Sequence, residues 1–161
     1  MKLFICEKPS QARDIAPHVG ARQKGNGCFT GPGVTVTWCI GHLLEQAKPE
    51  FYQPDLKSWD LGLLPIIPGK WRMQPVERTK AQLVVVRDAL ATASQVVIAT
   101  DADREGEVIA REVMEKCRYT GPVSRLWLQS LNEASIKTAL GKLLPNEKTL
   151  PLYFAGMGRA R

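Results

Sequence analysis

The sequence predicts an α/β fold, a Rossmann-like, mostly parallel sheet with helices on both faces. Two observations lead there. Strand-like runs alternate along the chain with helical patterns, the order that builds a parallel sheet covered on both sides. The runs themselves, Leu3-Phe4-Ile5-Cys6 and Val96-Val97-Ile98 among them, are short and apolar, as buried strands are.

The elements follow in order. Leu3-Phe4-Ile5-Cys6 is a short buried strand at the N-terminus. Glu7-Lys8-Pro9-Ser10 then breaks into a helix with Ala12, Ile15 and Ala16 on one face. Pro17 ends that helix early, because proline lacks an N–H and clashes with the preceding turn. Gly25-Asn26-Gly27 and Gly31-Pro32-Gly33 punctuate turns around Cys28-Phe29-Thr30. Val34-Thr35-Val36-Thr37-Trp38-Cys39 alternates and is β-branched, hence a strand. Residues 46–74 are rich in Pro, Trp and charge and read as a long insertion with little regular structure, in which Trp59 and Trp71 argue for order. A helix over 79–93 carries Leu83, Val86 and Leu90 on one side, and a strand covers 95–100. A helix over 105–117 places Gly106, Ile109, Ala110, Val113 and Cys117 on one stripe. A further strand spans 123–128. Ser130-Leu131-Asn132-Glu133 resembles a capping box and opens a helix with Ile136, Leu140 and Leu143 inward. No internal repeat and no low-complexity segment interrupts this order.

Composition narrows the classes of function. A chain of 161 residues suffices for one domain with a core. Its 22 Lys+Arg against 16 Asp+Glu leave a net charge of +6, a surplus that favours a polyanionic partner such as nucleic acid or simply solvates the surface. Cys6, Cys28, Cys39 and Cys117 are scattered without a C-x-x-C pair, which argues against a zinc site. Cys6 and Cys39 lie in apolar runs and read as buried thiols. No long uncharged apolar stretch could span a bilayer, and the N-terminus has no signal peptide. A reducing, cytoplasmic setting without membrane contact is expected.

The most informative segment is Ile98-Ala99-Thr100-Asp101-Ala102-Asp103-Arg104-Glu105-Gly106-Glu107. Four carboxylates crowd directly behind an apolar strand. Such a cluster repels itself, and a hard divalent cation would relieve it. Mg²⁺ takes one or two carboxylates and completes its shell with water and substrate phosphate. Asp101 and Asp103 are two apart, so on an extended backbone they point the same way. A simpler reading makes one of them the cap of the following helix; one cap needs one Asp, not the whole cluster. Glu107 begins the helix, where an acid favours the positive N-terminal dipole. Ligand sites in such sheets lie beyond the carboxyl ends of the strands. Glu7 follows the first strand, so if the two strands are neighbours it faces the acidic cluster across one cleft. His18 reads as a loop residue.

A strand ending in Glu near the N-terminus, with a later apolar strand ending in Asp-x-Asp, resembles the Toprim domain of topoisomerases, primases and some nucleases. The resemblance is closest to type IA enzymes of the bacterial topoisomerase III kind. It rests on Phe4 to Ala12, on Val36-Thr37-Trp38-Cys39-Ile40-Gly41-His42-Leu43-Leu44-Glu45, and on Asp101-Ala102-Asp103-Arg104-Glu105-Gly106-Glu107. It covers nearly the whole chain. Gly156-Met157-Gly158-Arg159-Ala160-Arg161 resembles the start of a segment leading into the next domain of that family. The resemblance therefore implies a Toprim domain over 1–150, with the insertion near 46–74, and a truncated lead-in over 151–161 to further topoisomerase domains.

What the resemblance implies for chemistry is specific. Glu7 is the general acid–base, delivering a proton to the departing 3′ oxygen of DNA, and a carboxyl beside other acids is suited to hold one. Lys8 stabilises charge on the scissile phosphate, unless it is an ordinary surface lysine. Asp101, Asp103 and Glu105, with Glu7, hold Mg²⁺. Arg104 contacts DNA phosphate or pairs with its acidic neighbours. His42, in a block similar to the family's, contacts DNA or has a structural hydrogen-bonding role. The partner is DNA in single-stranded segments, in a cytoplasmic, nucleoid-associated setting. The nucleophilic tyrosine belongs to a later domain, and none of Tyr52, Tyr119 and Tyr153 matches its context. No G-x-x-x-x-G-K-[ST] loop is present, consistent with an ATP-independent enzyme. A stand-alone Toprim nuclease or primase, and a non-catalytic DNA- or partner-binding module, are the competing readings.

Overall fold

Leu3 and Ile5 point to one face of the first strand, β1 (Lys2–Cys6), and Phe4 and Cys6 to the other. The two-residue period of a strand therefore feeds two hydrophobic cores at once. The computed structural model describes residues 1–58 and 60–160; Trp59 and Arg161, two residues used in the sequence reading, lie outside the described residues.

Strands β2 (Gln23–Lys24), β3 (Cys28–Gly31) and β4 (Val34–Trp38) precede the short pair β5 (Leu44–Gln46) and β6 (Met73–Pro75). Then come β7 (Gln95–Ala99), β8 (Val123–Arg125) and β9 (Leu144–Pro145). Seven of them form one sheet in the order β2-β3-β4-β1-β7-β8-β9. The centre, β4-β1-β7-β8, is parallel. The edges are antiparallel, closed by the β2–β3, β3–β4 and β8–β9 pairings. Helices α2 (Lys80–Thr92) and α3 (Arg104–Lys116) cover the face of Leu3, Ile5, Val96 and Ile98 with Val86, Leu90, Ile109 and Val113. Helices α1 (Pro9–Ile15) and α4 (Glu133–Leu140) cover the face of Phe4, Cys6, Val97 and Ala99 with Ala12, Ile15 and Ile136. The predicted α/β class is the one observed. A last helix, α5 (Leu150–Ala160), packs on α3. No helix among the described residues is long and apolar enough to cross a membrane.

Three local differences from the sequence reading have physical causes. The stretch around Cys28-Phe29-Thr30 is a strand between its glycine turns, because Phe29 packs against Trp38 with ring centroids 5.7 Å apart and pairs across from Val36. The strand expected over 123–128 stops at Arg125; Leu126 still donates to the Ile98 carbonyl at 2.9 Å before the chain leaves the ladder. The Ser130 capping box does not form. Asn132 caps α4 instead, its side chain accepting the Ser135 N–H at 2.8 Å, since Asn serves as an N-cap as well as Ser does.

Between β5 and β6 the described residues make three short 3₁₀ turns, at Pro49–Phe51, Pro54–Lys57 and Leu61–Leu63. An aromatic corner holds this segment. Tyr52 and Trp71 meet edge to face at 6.5 Å, the Tyr52 hydroxyl accepts the Arg72 N–H at 2.8 Å, and the Arg72 guanidinium lies 5.7 Å from the Phe51 ring.

Beneath the carboxyl ends of the central strands lies a buried ion network. Arg125 is fully buried. It donates to Glu107 Oε1 at 2.6 Å and to the carbonyls of Ile98, Thr100, Leu126 and Asp101 at 3.2, 2.9, 2.8 and 2.6 Å. Glu107, also fully buried, accepts Arg111 Nε on its other oxygen at 2.8 Å. Arg111 continues to Asn146 at 2.7 Å and Thr149 at 3.3 Å. A buried charge is tolerated only when paired and hydrogen-bonded, and among the described residues no buried side-chain polar atom lacks a partner. Glu107 thus occupies the first turn of α3, as expected, but its carboxylate faces inward rather than solvent. Removing one member leaves the other charges buried and uncompensated. Glu107→Gln is therefore expected to lower stability by about 3–5 kcal/mol, measured as a reduced midpoint in urea at an unchanged slope.

Candidate active site and nucleic-acid cleft

Parallel pairing brings the carboxyl ends of β4, β1 and β7 to one edge, with Cys6 opposite both Trp38 and Ala99. Whatever follows each strand therefore meets. Glu7 follows β1, the turn containing Asp101 follows β7, and the loop containing His42 follows β4. The conditional expectation about Glu7 is met: the Asp101 N–H donates to Glu7 Oε2 at 3.3 Å. Lys8 lies between the two acids, its Nζ 3.0 Å from Asp101 Oδ2 and 3.4 Å from Glu7 Oε1. The bond to Asp101 first, and the Glu7 charge second, raise the Lys8 pKa and hold it as an ammonium. Gln11, buried on the first helical turn, accepts the Glu7 N–H at 2.8 Å and donates to Asp101 Oδ1 at 3.2 Å.

The Asp101-Ala102-Asp103 segment is not extended. Strand β7 stops at Ala99, and the Asp103 N–H turns back to the Asp101 carbonyl at 2.9 Å. The alternation argument for Asp101 and Asp103 therefore does not apply. Asp103 is the N-cap of α3, one carboxylate oxygen accepting the Gly106 N–H at 2.7 Å. The turn is clamped by Thr100, whose hydroxyl donates to the Gly106 carbonyl at 2.8 Å. Gly106 is required here: a Cβ on it would run into the Asp101 carbonyl oxygen.

The four acids consequently separate into four settings. Asp101 meets Lys8 and Gln11, Asp103 caps the helix, Glu105 faces solvent, and Glu107 is neutralised inside. Among the described residues no three His, Cys, Asp or Glu side chains are gathered as a ready-made metal cage. Asp103 and Glu105 line the same cleft of about 490 Å³, together with His42, Arg104, Val108, Gly156 and Arg159. An ion bound by one or two carboxylates, with open positions for water and phosphate, fits this donor set. A cation that needs an all-protein shell does not.

His42 lies at the cleft, its Nδ1 3.3 Å from Glu112 Oε2. The hydrogen bond to buried Glu112 raises its pKa above the ordinary 6.5, against partial burial. Arg104, read from sequence as a phosphate or carboxylate partner, and Arg159 line the same cleft. Each of the three tyrosines has a hydroxyl partner away from the cleft: the Arg72 N–H for Tyr52, the Pro122 carbonyl for Tyr119 and Glu115 for Tyr153. Burial pushes the Cys39 thiol up to about 12 and the Cys6 thiol higher still, so both are inert core groups.

Sequence reasoning missed Gln11, Arg125, Gly156 and Arg159. Gly156 has a structural signal only in three dimensions: a Cβ there would strike Val108 and crowd the Arg104 carbonyl, so it lets α5 lie against α3. Arg125 had a usable signal, a lone charge inside the strand predicted over 123–128.

Comparison with known proteins fits this geometry. The model of the Toprim domain matches residues 2–131. DNA topoisomerase 3 of Shouchella clausii is 41% identical over 161 residues, covering 99% of this chain and 22% of that protein. DNA topoisomerase 3 of Haemophilus influenzae is 42% identical over 171 residues, covering 100% of this chain and 26% of the relative. The chain thus spans about a quarter or less of the length of these relatives. Full-length topoisomerase I of Thermotoga maritima shares the fold, with a TM-score of 0.59 at 18% identity over 91% of this chain and 22% of that one. The chain belongs to the Toprim domain family.

The His42–Glu112 pair gives a pH dependence whose sign follows from the raised pKa. The pair's contribution to stability is fully present below the unfolded imidazole value of 6.5 and is lost as pH rises through the raised folded value. Glu112→Gln is expected to return the His42 midpoint toward 6.5, read from the imidazole proton shifts in an NMR titration. An unchanged midpoint would remove Glu112 as the cause.

Proposed function

We propose that this Toprim domain is the metal-binding and acid–base part of an ATP-independent type IA DNA topoisomerase of the topoisomerase III kind, acting on single-stranded segments of DNA in the bacterial cytoplasm. One observation carries the reading. Glu7 and Asp101 converge at the ends of adjacent parallel strands, with the Lys8 ammonium 3.0 Å from one carboxylate and 3.4 Å from the other. A proton-transfer group, a fixed cation and a carboxylate cleft are the parts that phosphoryl transfer needs.

Strand cleavage moves a phosphoryl group from the DNA 3′ oxygen to a tyrosine hydroxyl, whose own proton leaves to water. The 3′ oxygen must gain a proton as it departs and lose it on religation. Glu7 supplies and recovers that proton. Lys8 lies beside Glu7 and offers positive charge to the scissile phosphate. Arg104 and His42 stand at the cleft wall and contact the DNA backbone. Mg²⁺, held by Asp103 and Glu105 with Asp101 and Glu7 beside them, supplies further positive charge to the backbone when bound. The attacking tyrosine comes from another domain, because the hydroxyls of Tyr52, Tyr119 and Tyr153 are engaged elsewhere. On this reading residues 1–150 are the Toprim domain proper, and the segment from 151 leads toward those other domains.

The first test is calorimetric titration of Mg²⁺ into the chain and into the double variant Asp101→Asn with Asp103→Asn. Mg²⁺ binding is expected in the first and absent in the second. The fold should persist by circular dichroism, since Asn caps a helix as well as Asp does. Equal affinity in the two would sink the ligand assignment. In a protein that also carries the tyrosine domain, Glu7→Gln is expected to bind DNA normally and to lose strand cleavage. Normal relaxation of supercoiled DNA by that variant would take Glu7 out of the mechanism.

A further inference from the structure

Beyond the cleft, a second groove of about 670 Å³ runs between the segment that joins β5 to β6 and the far end of α3. Four cations line it, Lys70, Arg72, Lys116 and Arg118, together with the aromatic rings of Phe51 and Trp71. Its two acids are already engaged, Glu112 by His42 and Glu115 by the Tyr153 hydroxyl at 2.9 Å. Phe51 is 53% exposed, its ring meeting Tyr52 edge to face at 5.8 Å and the Arg72 guanidinium at 5.7 Å while the rest stays open to solvent. Lys116 ties the groove together, donating to the Met73 carbonyl at 2.9 Å.

The groove and the cleft share one helix face. Glu105 and Val108 line the cleft, Glu112, Glu115 and Lys116 line the groove, and the spacing of three or four residues stacks them in a row. His42–Glu112 forms the saddle between the two. From Glu105 to Lys116 the row is about 16 Å long at the helical rise, room for roughly four to five nucleotides at stacked spacing.

We infer that this groove is a binding track for single-stranded nucleic acid, in which Phe51 and Trp71 stack on bases while Lys70, Arg72, Lys116 and Arg118 follow the phosphates. Cations set beside one exposed ring, Phe51, and one half-buried ring, Trp71, match a strand whose base faces are free and not a duplex, whose faces are already stacked. The placement of the strand, with one phosphate in the cleft and the flanking bases in the groove, rests on the function proposed above. Binding in the groove does not.

The test is fluorescence anisotropy of a labelled thymidine 12-mer on the chain without divalent metal, with a uridine 12-mer, a 12-base-pair duplex and poly-glutamate alongside. The single strands are expected to bind more tightly than duplex or poly-glutamate, with a slope of log affinity against log salt of about −2 to −3. The uridine arm tells a DNA track from one that takes either nucleic acid. The double variant Phe51→Ala with Lys70→Glu alters exposed side chains and should keep the fold by circular dichroism. It is expected to weaken single-strand binding about tenfold or more. Trp71→Phe should retain binding while removing the tryptophan quench that binding produces. Loss of Mg²⁺ affinity in the parent together with intact groove binding would defeat the metal assignment and leave the track standing. The track is overturned by full-strength binding in the Phe51→Ala, Lys70→Glu chain, or by equal affinity for duplex or poly-glutamate.

Discussion

The fork between Arg125 and Glu107 fixes where β7 ends and therefore where the site begins. A strand that stops in the middle of a covered sheet leaves carbonyls pointing into a dry interior. Here those of Ile98, Thr100 and Asp101 all end on one guanidinium. Arginine suits the task because it offers five donors in a planar fork, whereas lysine has three on a single point. Burial alone would pull the Arg125 pKa down, and Glu107 opposes that pull. Asp101 is consequently held at each of its polar groups: its carbonyl by Arg125, its N–H by Glu7, its carboxylate by Lys8 and Gln11.

The same network separates the four acids that share seven residues. Glu107 is neutralised below, Asp101 is matched by Lys8, and Asp103 spends one oxygen on a helix N-terminus. What remains turned toward the cleft is sparse, Asp103 and Glu105. A sparse donor set would be a poor structural metal site. It suits an ion whose remaining positions are to be filled by a phosphate that comes and goes.

Much of this was legible in the sequence, though unequally. The central strands, the two-sided cover and the early end of α1 at Ile15, two residues before Pro17, follow from pattern, since apolar period and proline sterics act locally. The adjacency of β1 and β7 does not, because strand order is set by how the helices pack and not by any residue in the strands. Arg125 carries no strand-breaking signal because its neighbours Val123 and Leu126 suit a strand, and its partners other than Leu126 lie 18 to 27 residues away. Gln11 was invisible for the same reason, its second partner being 90 residues distant. The Asp-x-Asp pair was over-read: a strand period was extended two residues beyond the strand, where the chain had already turned to cap α3.

Helix α3 carries the division of labour to its conclusion. One side of its first two turns, Glu107 and Arg111, is sunk in the ion network and fixes the helix against β8 and α5. The adjoining side carries Glu105 and Val108 into the cleft and Glu112 onward to His42 and the groove. A helix locked on one face cannot roll, so any polymer seated along the other face keeps a constant register to the N-terminal end where Asp103 and Glu105 stand. Rotation by even one residue, about 100°, would turn that row of side chains away from the cleft. The buried charge pair that holds the Asp101 turn in place is therefore also what holds the register between the cleft and the groove.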